Sequence, residues 1–183
     1  MADPGLEDAF HAALEGQAWA LRVLYDHLAP RVHGYFVARG ASDPEELTSD
    51  VFLAVFPRLS TVTGGASGLR TLVFSVAHAR LVDDLRRRSR RPQATEYCPN
   101  KDPRTSPSGE DEAAVSLGTQ RAIALLSKLP DDQRDALMLR HLADLTVEQV
   151  AHAMDKTAGA VKQLQRRGLL TLRAVLAEQG VTQ

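Results

Sequence analysis

The sequence predicts an all-α protein in which two small helical domains are joined by a flexible linker. In several segments apolar residues recur every three or four positions, as they do on one face of an amphipathic helix. Between two groups of such segments, residues 92–116 hold four of the nine prolines and few large aliphatic side chains, which is typical of a linker. No segment of convincing length shows the alternation of a strand. We therefore expect helical domains over residues 1–91 and 117–183.

Three helices are expected at the start of the first domain, over about 6–14, 17–39 and 44–58. The inward face of the second is assigned to seven residues: Trp19, Val23, Leu24, Leu28, Val32, Tyr35 and Phe36. Asp43 or Ser42 can cap the third helix, and the proline that follows suits its first turn.

A loop rich in glycine, serine and threonine, Ser60–Gly68, leads into the segment "LRTLVFSVAHARLVDDLRRRSRR". The segment begins as an amphipathic helix with the apolar stripe Leu69, Leu72, Val73, Val76, Ala77, Leu81 and Leu85. Past this stripe it ends in arginine, and residues 80–91 contain six of them. A helix with a core-facing stripe thus carries a concentrated positive charge at its end.

The net charge of −1 conceals blocks of opposite sign. Residues 61–95 hold seven Lys or Arg against two Asp or Glu, whereas residues 1–60 hold four against nine. A basic block of this kind is typical of a surface that binds a polyanion. The alternative is a solvated helix end whose arginines interact with the negative end of the helix dipole. Six arginines in twelve residues favour the nucleic-acid interpretation.

Four helices are expected in the second domain, over about 117–127, 131–142, 146–154 and 158–177. Pro130 separates the first of them from the second. The last two are joined by a turn over residues 155–157, and the final helix exposes Lys, Gln and Arg early in its course. This arrangement is typical of a helix-turn-helix, although an ordinary helical hairpin of a bundle is the alternative.

The composition argues against several other classes of protein. No apolar run approaches the length of a membrane span, and the acidic N-terminus has no signal-peptide pattern, so we expect a cytoplasmic protein without membrane insertion. Cys98 is the single cysteine and is expected to be a free surface thiol. Glu148 and His152 lie one helical turn apart but have no second pair of ligands. Without a glycine-rich phosphate loop or nucleophile elbow, we expect no enzyme activity, metal or cofactor.

Three segments in order resemble a bacterial RNA polymerase sigma factor: "DPEELTSDVFLAVFPRL", the arginine-tailed helix, and "LPDDQRDALMLRHLADLTVEQVAHAMDKTAGAVKQLQRRGLLTLR". The chain resembles the extracytoplasmic-function (ECF) type of the sigma-70 family, which contains only the second and fourth sigma domains. The resemblance covers about residues 17–91 and 117–177. It implies that 1–91 is sigma domain 2, that 92–116 is the linker, and that 117–183 is sigma domain 4.

The resemblance implies a role for each of the charged surfaces. It implies that Glu45, Glu46, Thr48 and Asp50 dock on the clamp helices of the largest polymerase subunit. The loop Ser60–Gly68 matches the position that holds a base flipped out of the −10 promoter element. The residues implied to contact the bases and the backbone of this element are Arg70, Phe74, His78, Arg80, Arg86, Arg87 and Arg88. The helix-turn-helix, as reader of the −35 element, contributes Thr157, Ala160, Lys162, Gln163, Arg166 and Arg167.

The implied function is that of a sigma factor that binds core RNA polymerase, at the β′ clamp helices and the β flap, and directs promoter-specific initiation. Promoter DNA and an anti-sigma factor are the other implied partners. One alternative is a sigma-like interaction protein that sequesters an anti-sigma factor without binding DNA, and another is a stand-alone helix-turn-helix repressor. The arginine block counts against the first and the acidic docking helix against the second. Family members usually carry glycine where Asp155 stands, so a positive φ is expected there.

Overall fold

The computed structural model of the chain describes residues 4–90, 110–178 and Gly180. Every regular element in these residues is helical, so the prediction of an all-α fold is confirmed. The N-terminal bundle consists of α1 (Pro4–Leu14), α2 (Ala18–Arg39), α3 (Pro44–Val55), a 3₁₀ helix (Phe56–Thr61) and α4 (Gly65–Arg90). The C-terminal bundle consists of α5 (Glu110–Leu126), α6 (Asp131–His141), α7 (Val147–Ala153) and α8 (Ala158–Glu178).

The buried apolar side chains of the two bundles belong to one hydrophobic cluster. The fully buried side chains of the N-terminal bundle include Leu24, Leu28, Val32, Tyr35, Phe36, Leu69, Phe74 and Leu81. Those of the C-terminal bundle include Leu139, Leu145, Val150 and Val161. Full burial of one such side chain contributes about 1.5–3 kcal/mol to the free energy of folding. The bundles also pack against each other, with α4 against α7, and this interface positions much of the candidate site.

The inward face predicted for α2 is correct over its later turns and wrong at its start. Trp19 and Val23 are 56% and 40% exposed, whereas Ala20 is fully buried at the same end of the helix. Ala20 and Leu24 are four residues apart and share one face, and Trp19 and Val23 lie about 100° away from that face. The smaller Ala20 therefore takes the core position for which the larger Trp19 was expected.

The cap of α3 is Asp43, whose carboxylate accepts a hydrogen bond from the backbone N–H of Glu46 at 3.0 Å. Ser42, the other predicted cap, instead donates from its hydroxyl to Asp84 in α4 at 2.5 Å. The α-helix ends at Val55 rather than near residue 58, because Pro57 has no N–H for an α-helical hydrogen bond. The chain tightens there into the 3₁₀ helix.

Much of the predicted loop Ser60–Gly68 is helical, because the 3₁₀ helix extends to Thr61 and α4 begins at Gly65. The backbone turns sharply between them, with φ of 85° at Gly64 and 62° at Gly65. The carboxylate of Glu7 in α1 accepts the backbone N–H of Ala66 at 3.0 Å and so satisfies one of the free donors at the start of α4. The short connection is thereby held against α1.

The helix α5 begins at Glu110, seven residues before the predicted start at 117. Pro107 is the last proline of the predicted linker, so residues 110–126 contain no proline that would break a helix. The linker predicted over 92–116 is therefore helical over its final part. Its earlier part lies outside the described residues, as do Arg91 and the free thiol predicted for Cys98.

A substitution at Gly68 tests the packing at the start of α4. A Cβ at this position would lie 1.8 Å from the backbone carbonyl oxygen of Thr63, which cannot move without displacing the turn. We expect Gly68→Ala to lower the free energy of unfolding by about 1–3 kcal/mol through overpacking. The matched control is Gly34→Ala in α2, where a Cβ meets nothing within 4 Å. There alanine should raise the free energy of unfolding by about 0.5–1 kcal/mol. Urea unfolding measures both, and equal stability of the two variants would contradict the close approach.

Candidate functional site

The helix-turn-helix predicted from the sequence is present in α7 and α8. A capping box begins α7, in which Thr146 accepts the N–H of Gln149 at 3.2 Å and Gln149 accepts the N–H of Thr146 at 2.8 Å. The turn contains Asp155 with φ of 51°, so the expected positive φ is confirmed. Thr157 then caps α8 by accepting the N–H of Ala160 at 3.2 Å. These local hydrogen bonds define where each helix of the motif begins.

The packing of α8 leaves one of its faces to solvent. Val161 and Gly168 are its buried positions, and at Gly168 an added Cβ would lie 2.8 Å from a methyl of Leu137 in α6. Lys156, in the turn before α8, forms an ion pair with Asp132 of α6 at 3.1 Å. All six residues that the sequence assigned to DNA on this motif are exposed, namely Thr157, Ala160, Lys162, Gln163, Arg166 and Arg167.

The arginine-rich end of α4 is also exposed, at Arg80, Arg86, Arg87 and Arg88. Arg88 donates a hydrogen bond to the carbonyl oxygen of Gly40, the residue that ends α2 in the left-handed region. The nearby Asp84 is buried and accepts hydrogen bonds from the backbone and hydroxyl of Ser42. The positive end of α4 is thus a solvated surface on a well-packed helix.

The middle of α4 departs from the prediction, because Arg70, Phe74 and His78 face the C-terminal bundle or the core. Arg70 is 8% exposed and forms an ion pair with Asp144 at 3.1 Å. His78 is half-buried, with Nδ1 at 2.9 Å from the hydroxyl of Tyr35. Phe74 is fully buried with its ring edge-on to Tyr35. A side chain without exposed surface cannot contact bases. Phe74 is therefore a core residue, and its prediction as a DNA contact is wrong.

A buried cluster joins the two bundles around Asp135 of α6, which is 2% exposed. Arg39, at the end of α2, donates to Asp135 from Nε at 2.6 Å and from Nη2 at 3.3 Å. Tyr35 donates its hydroxyl to the same carboxylate at 3.0 Å, and Arg39 also donates to Asp131 at 2.9 Å. His78 completes this Asp135 cluster, with its Nδ1 at 4.0 Å from the carboxylate.

The charges of the Asp135 cluster stabilise one another against burial. Burial lowers the pKa of Arg39, but the charge and hydrogen bonds of Asp135 outweigh this effect, so the pKa is raised and the guanidinium stays charged. Burial raises the pKa of Tyr35 well above its ordinary value, and the Asp135 carboxylate raises it further. Tyr35 is therefore a neutral donor. The result is a buried ion pair whose acceptor oxygens are largely satisfied.

This cluster was not predicted from the sequence, although the sequence contains one signal of it. Asp135 lies four residues before the fully buried Leu139, so an acidic residue occupies the apolar face of α6. A carboxylate in that position needs a buried partner. The sequence contains many arginines, and only the folded chain shows that Arg39, at a distance of 96 residues, is the partner.

The acidic docking surface predicted on α3 is present in part. Glu45 and Glu46 are exposed in the first turn, and Asp50 is partly exposed one turn later. Thr48 is 4% exposed, and its hydroxyl donates to the carbonyl oxygen of Pro44 at 2.6 Å. Its side chain is directed into the helix rather than towards a partner. The prediction of Thr48 as a docking residue is therefore wrong. The remaining carboxylates still form an acidic patch on the outside of the bundle.

A cleft of about 440 Å³ lies beside the connection between the 3₁₀ helix and α4. One side is formed by polar residues of the N-terminal bundle, among them Thr63, Ser67 and Thr71. The other side comes from α7 of the C-terminal bundle, through Gln149 and His152. Gln149 donates to the hydroxyl of Ser67 at 2.9 Å across the cleft. The position predicted to hold a flipped base is therefore a cavity with a wall from each bundle.

The described residues lack two other kinds of feature. No three His, Cys, Asp or Glu side chains come together there in a way that could hold a metal ion. None of the helices in residues 4–90 and 110–178 is both long and apolar enough to cross a membrane. The described residues thus form two exposed basic surfaces, one acidic patch, the polar cleft and the Asp135 cluster, together with an apolar groove of about 520 Å³ lined by α2, α5, α6 and α8.

Comparison with known proteins gives consistent matches. Residues 125–174 match the family described as Sigma-70, region 4. The chain is 32% identical to the ECF RNA polymerase sigma factor ShbA of Streptomyces griseus, over 92% of this chain and 93% of that protein. It is 27% identical to the ECF RNA polymerase sigma factor SigK of Mycobacterium ulcerans, over 94% of this chain and 96% of that protein.

Among solved structures, the chain is similar to CnrH, which was determined in complex with the cytosolic domain of CnrY. The TM-score is 0.67, and the match covers 95% of this chain and 98% of CnrH. Because the two sequences are only 17% identical, this likeness supports the fold alone.

His78 provides a test of the packing between the bundles. Burial lowers its pKa from the ordinary 6.5, and the charge of Asp135 opposes this shift only in part. A group with a lowered pKa in the folded state stabilises that state fully above its ordinary pKa, and this stability is lost as the pH falls through the lowered value. We therefore expect NMR titration of the full chain to give a pKa for His78 below 6.5.

The same linkage predicts that mild acid weakens the folded arrangement around His78. His78→Gln is the matched control, because glutamine keeps a hydrogen-bonding side chain and does not titrate. The free energy of unfolding of this variant should fall less steeply than that of the native chain as the pH drops below 6.5. A His78 pKa at or above 6.5, or an identical pH profile for the variant, would contradict the burial of the ring in solution.

Proposed function

The chain belongs to the ECF RNA polymerase sigma factors, and on that premise we propose that it binds core RNA polymerase and directs initiation at specific promoters. Proteins of this family act in transcription initiation and are not enzymes. In this proposal residues 1–91 serve as sigma domain 2, 117–183 as sigma domain 4, and the segment between them as the linker. The observation that carries the proposal is the helix-turn-helix, whose second helix buries Val161 and Gly168 and leaves its basic face exposed.

The proposed reader of the −35 element is the exposed face of α8. Gln163 and Arg166 are three residues apart and share one helix face, so both side chains can enter one major groove. Glutamine and arginine suit this role, because they make paired hydrogen bonds with adenine and guanine. Arg167 lies about 100° further round the helix and is placed to contact a phosphate. Thr157, Ala160 and Lys162 complete the proposed contact surface.

The proposed −10 surface combines the basic end of α4 with the cleft beside it. Arg80, Arg86, Arg87 and Arg88 attract the backbone of the opened strand, and their binding releases counterions. The cleft accommodates an unstacked base, whose extraction from the duplex costs about a few kcal/mol. Arg70 and His78 join this surface when they are not engaged by the C-terminal bundle.

The proposed docking surface for core polymerase is the acidic patch of α3, formed by Glu45, Glu46 and Asp50. Its partner is the pair of clamp helices of the β′ subunit, and the C-terminal bundle contacts the β flap. Charge complementarity favours rapid and specific association of such surfaces. We further propose that an anti-sigma factor regulates the protein, and that it functions in the cytoplasm, where core polymerase is found.

Reversal of charge on α3 tests both the sigma function and the docking surface. The native chain, mixed with core RNA polymerase, should support run-off transcription from a cognate promoter. We expect Glu46→Lys combined with Asp50→Lys to weaken core binding at least tenfold, because two attractive contacts become repulsive. The control is Glu15→Lys combined with Asp26→Lys, which changes the charge equally at exposed positions outside α3.

The measurement is competition for core polymerase, followed by transcription at saturating sigma factor. If the α3 variant competes as well as the native chain, the docking surface is elsewhere. If the native chain binds core polymerase but initiates at no promoter, the sequestering alternative is preferred.

Substitutions in α8 separate base reading from backbone binding. Gln163→Ala or Arg166→Ala should change which −35 sequences are accepted, with a loss of about 1–3 kcal/mol of discrimination at one base pair. Arg167→Ala should weaken all promoters about equally and reduce the salt dependence by roughly one unit of slope. Selection from a library of −35 sequences measures both effects. Should all three variants lose affinity without a change in preference, α8 contacts only the backbone.

A further inference from the structure

The helix α1 packs against the start of α4 as well as against α2. Leu6, Ala9 and Phe10 of α1 are each at most 2% exposed, so its apolar face belongs to the core of the N-terminal bundle. The segments that resemble a sigma factor begin at about residue 17, so they assign no role to this helix. Its position relative to α4 and the 3₁₀ helix is nevertheless fixed by this packing.

Glu7 of α1 caps α4 from outside that helix. Gly64, the residue before α4, accepts the N–H of Gly68 at 3.1 Å, but it has no side chain that could cap the helix. Oε2 of Glu7 instead accepts the N–H of Ala66 at 3.0 Å. A carboxylate also suits the positive end of the helix dipole. The first turn of α4 is therefore held by a residue 59 positions earlier in the chain.

The glycine at position 65 makes room for this carboxylate. A Cβ there would lie 2.1 Å from Oε1 of Glu7, and the backbone has a φ of 62°, which residues with a side chain rarely adopt. Oε1 also lies 3.4 Å from Nε2 of His11, but that side chain is 65% exposed, so the pair contributes little. The turn thus admits the carboxylate of Glu7 only while residue 65 has no side chain.

The turn that Glu7 holds forms one wall of the polar cleft. The cleft is lined by residues on both sides of Ala66, namely Thr63, Gly64, Ser67 and Gly68. This wall has little room to adjust, because a Cβ added at Gly68 would lie 1.8 Å from the carbonyl oxygen of Thr63. A shift in the start of α4 therefore moves the residues that face an unstacked base.

We propose that Glu7 is a positioning residue for the cleft, and that base selection in the −10 element depends on it. Glu7 is not among the residues that line the cleft, so it acts through the first turn of α4 and not by contact with DNA. The inference rests on the proposed promoter function, in which the cleft receives the unstacked base. It extends that function to α1, whose carboxylate determines how closely the wall of the cleft fits the base.

Base selection is measured on the holoenzyme, assembled from the full chain and core RNA polymerase. Selection from single-stranded DNA randomised over the −10 element gives the preferred strand, and each of its bases in turn is then replaced by an abasic site. We expect Glu7→Ala to lower the affinity for the preferred strand about fivefold, as for the loss of one helix cap. The effect should vanish on the strand whose unstacked base is already absent. A general loss of stability would instead lower the affinity for all strands equally.

Two further substitutions in α1 separate the hydrogen bond from the charge. Glu7→Gln keeps an oxygen acceptor on a side chain of the same length, so it should retain most of the base selection. Asp8→Ala is the matched control, because it removes the same charge from the neighbouring exposed position of α1. It should bind every strand as the native chain does. If Asp8→Ala lowers base selection as much as Glu7→Ala, charge alone is responsible and the positioning role is overturned.

A substitution at Gly65 removes the same contact from the side of α4. Gly65→Ala should displace the carboxylate, because the flexible end of a side chain moves more readily than the backbone, and so reproduce the loss of base selection. Combined with Glu7→Ala it should cause no further loss, because both changes remove one contact. The control is Gly16→Ala, where φ is 82° and an added Cβ meets nothing within 4 Å. It introduces a similar backbone strain away from the cleft and should leave base selection unchanged.

Hydrogen exchange of the full chain, without polymerase or DNA, measures the contact itself. The backbone N–H of Ala66 should exchange about tenfold faster in Glu7→Ala and in Gly65→Ala than in the native chain. In Asp8→Ala it should exchange at the native rate. Unchanged exchange in Glu7→Ala would overturn the cap and the positioning role with it.

Failure of the positioning role can be distinguished from failure of the promoter function. If the native holoenzyme selects no base at any position of the −10 element, the proposed function of the cleft is overturned, and the positioning role with it. If the native holoenzyme selects bases and Glu7→Ala selects them equally well, only the positioning role is overturned. Should Glu7→Ala fail to fold, the comparison of Gly65→Ala with Gly16→Ala still decides.

Discussion

The arrangement of the two bundles depends on the burial of one carboxylate, Asp135. A charged group removed from water must be paired and hydrogen-bonded, and among the described residues Asp135 meets this condition through groups of the other bundle, Arg39 and Tyr35. The relative position of α2 and α6 is therefore constrained to within hydrogen-bonding distance at several atoms. A purely apolar interface would allow sliding, whereas a bidentate guanidinium contact is directional.

This constraint determines which charged surfaces are exposed. With α6 held against the end of α2, α7 lies against α4 and covers one side of the cleft. The same docking leaves the basic face of α8 and the arginine-rich end of α4 exposed. The chain thus presents two exposed basic surfaces, one in each bundle.

Local features of the sequence were sufficient to predict most of the helices. Apolar residues that recur every three or four positions, the cap at Asp43 and the break at Pro130 depend on interactions within a few residues, so they are visible without the fold. The exposed face of α8 was predicted for the same reason, whereas the positive φ of Asp155 was expected from the resemblance to a family that usually carries glycine there. Predictions were wrong where contacts with other residues determine whether a side chain is exposed. Ala20 displaces Trp19 from the core, and Thr48 donates to its own helix.

The sequence by itself determined the helical class, the two bundles and their separate basic surfaces, because periodicity and charge are properties of neighbouring residues. Only the tertiary structure decided that Phe74 belongs to the core and that Arg70 and His78 face the other bundle. The partners Arg39 and Asp135 are 96 residues apart, and no local rule selects one arginine among many for a buried carboxylate. That choice follows from the geometry of packing, which buries the two side chains together so that each compensates the charge of the other.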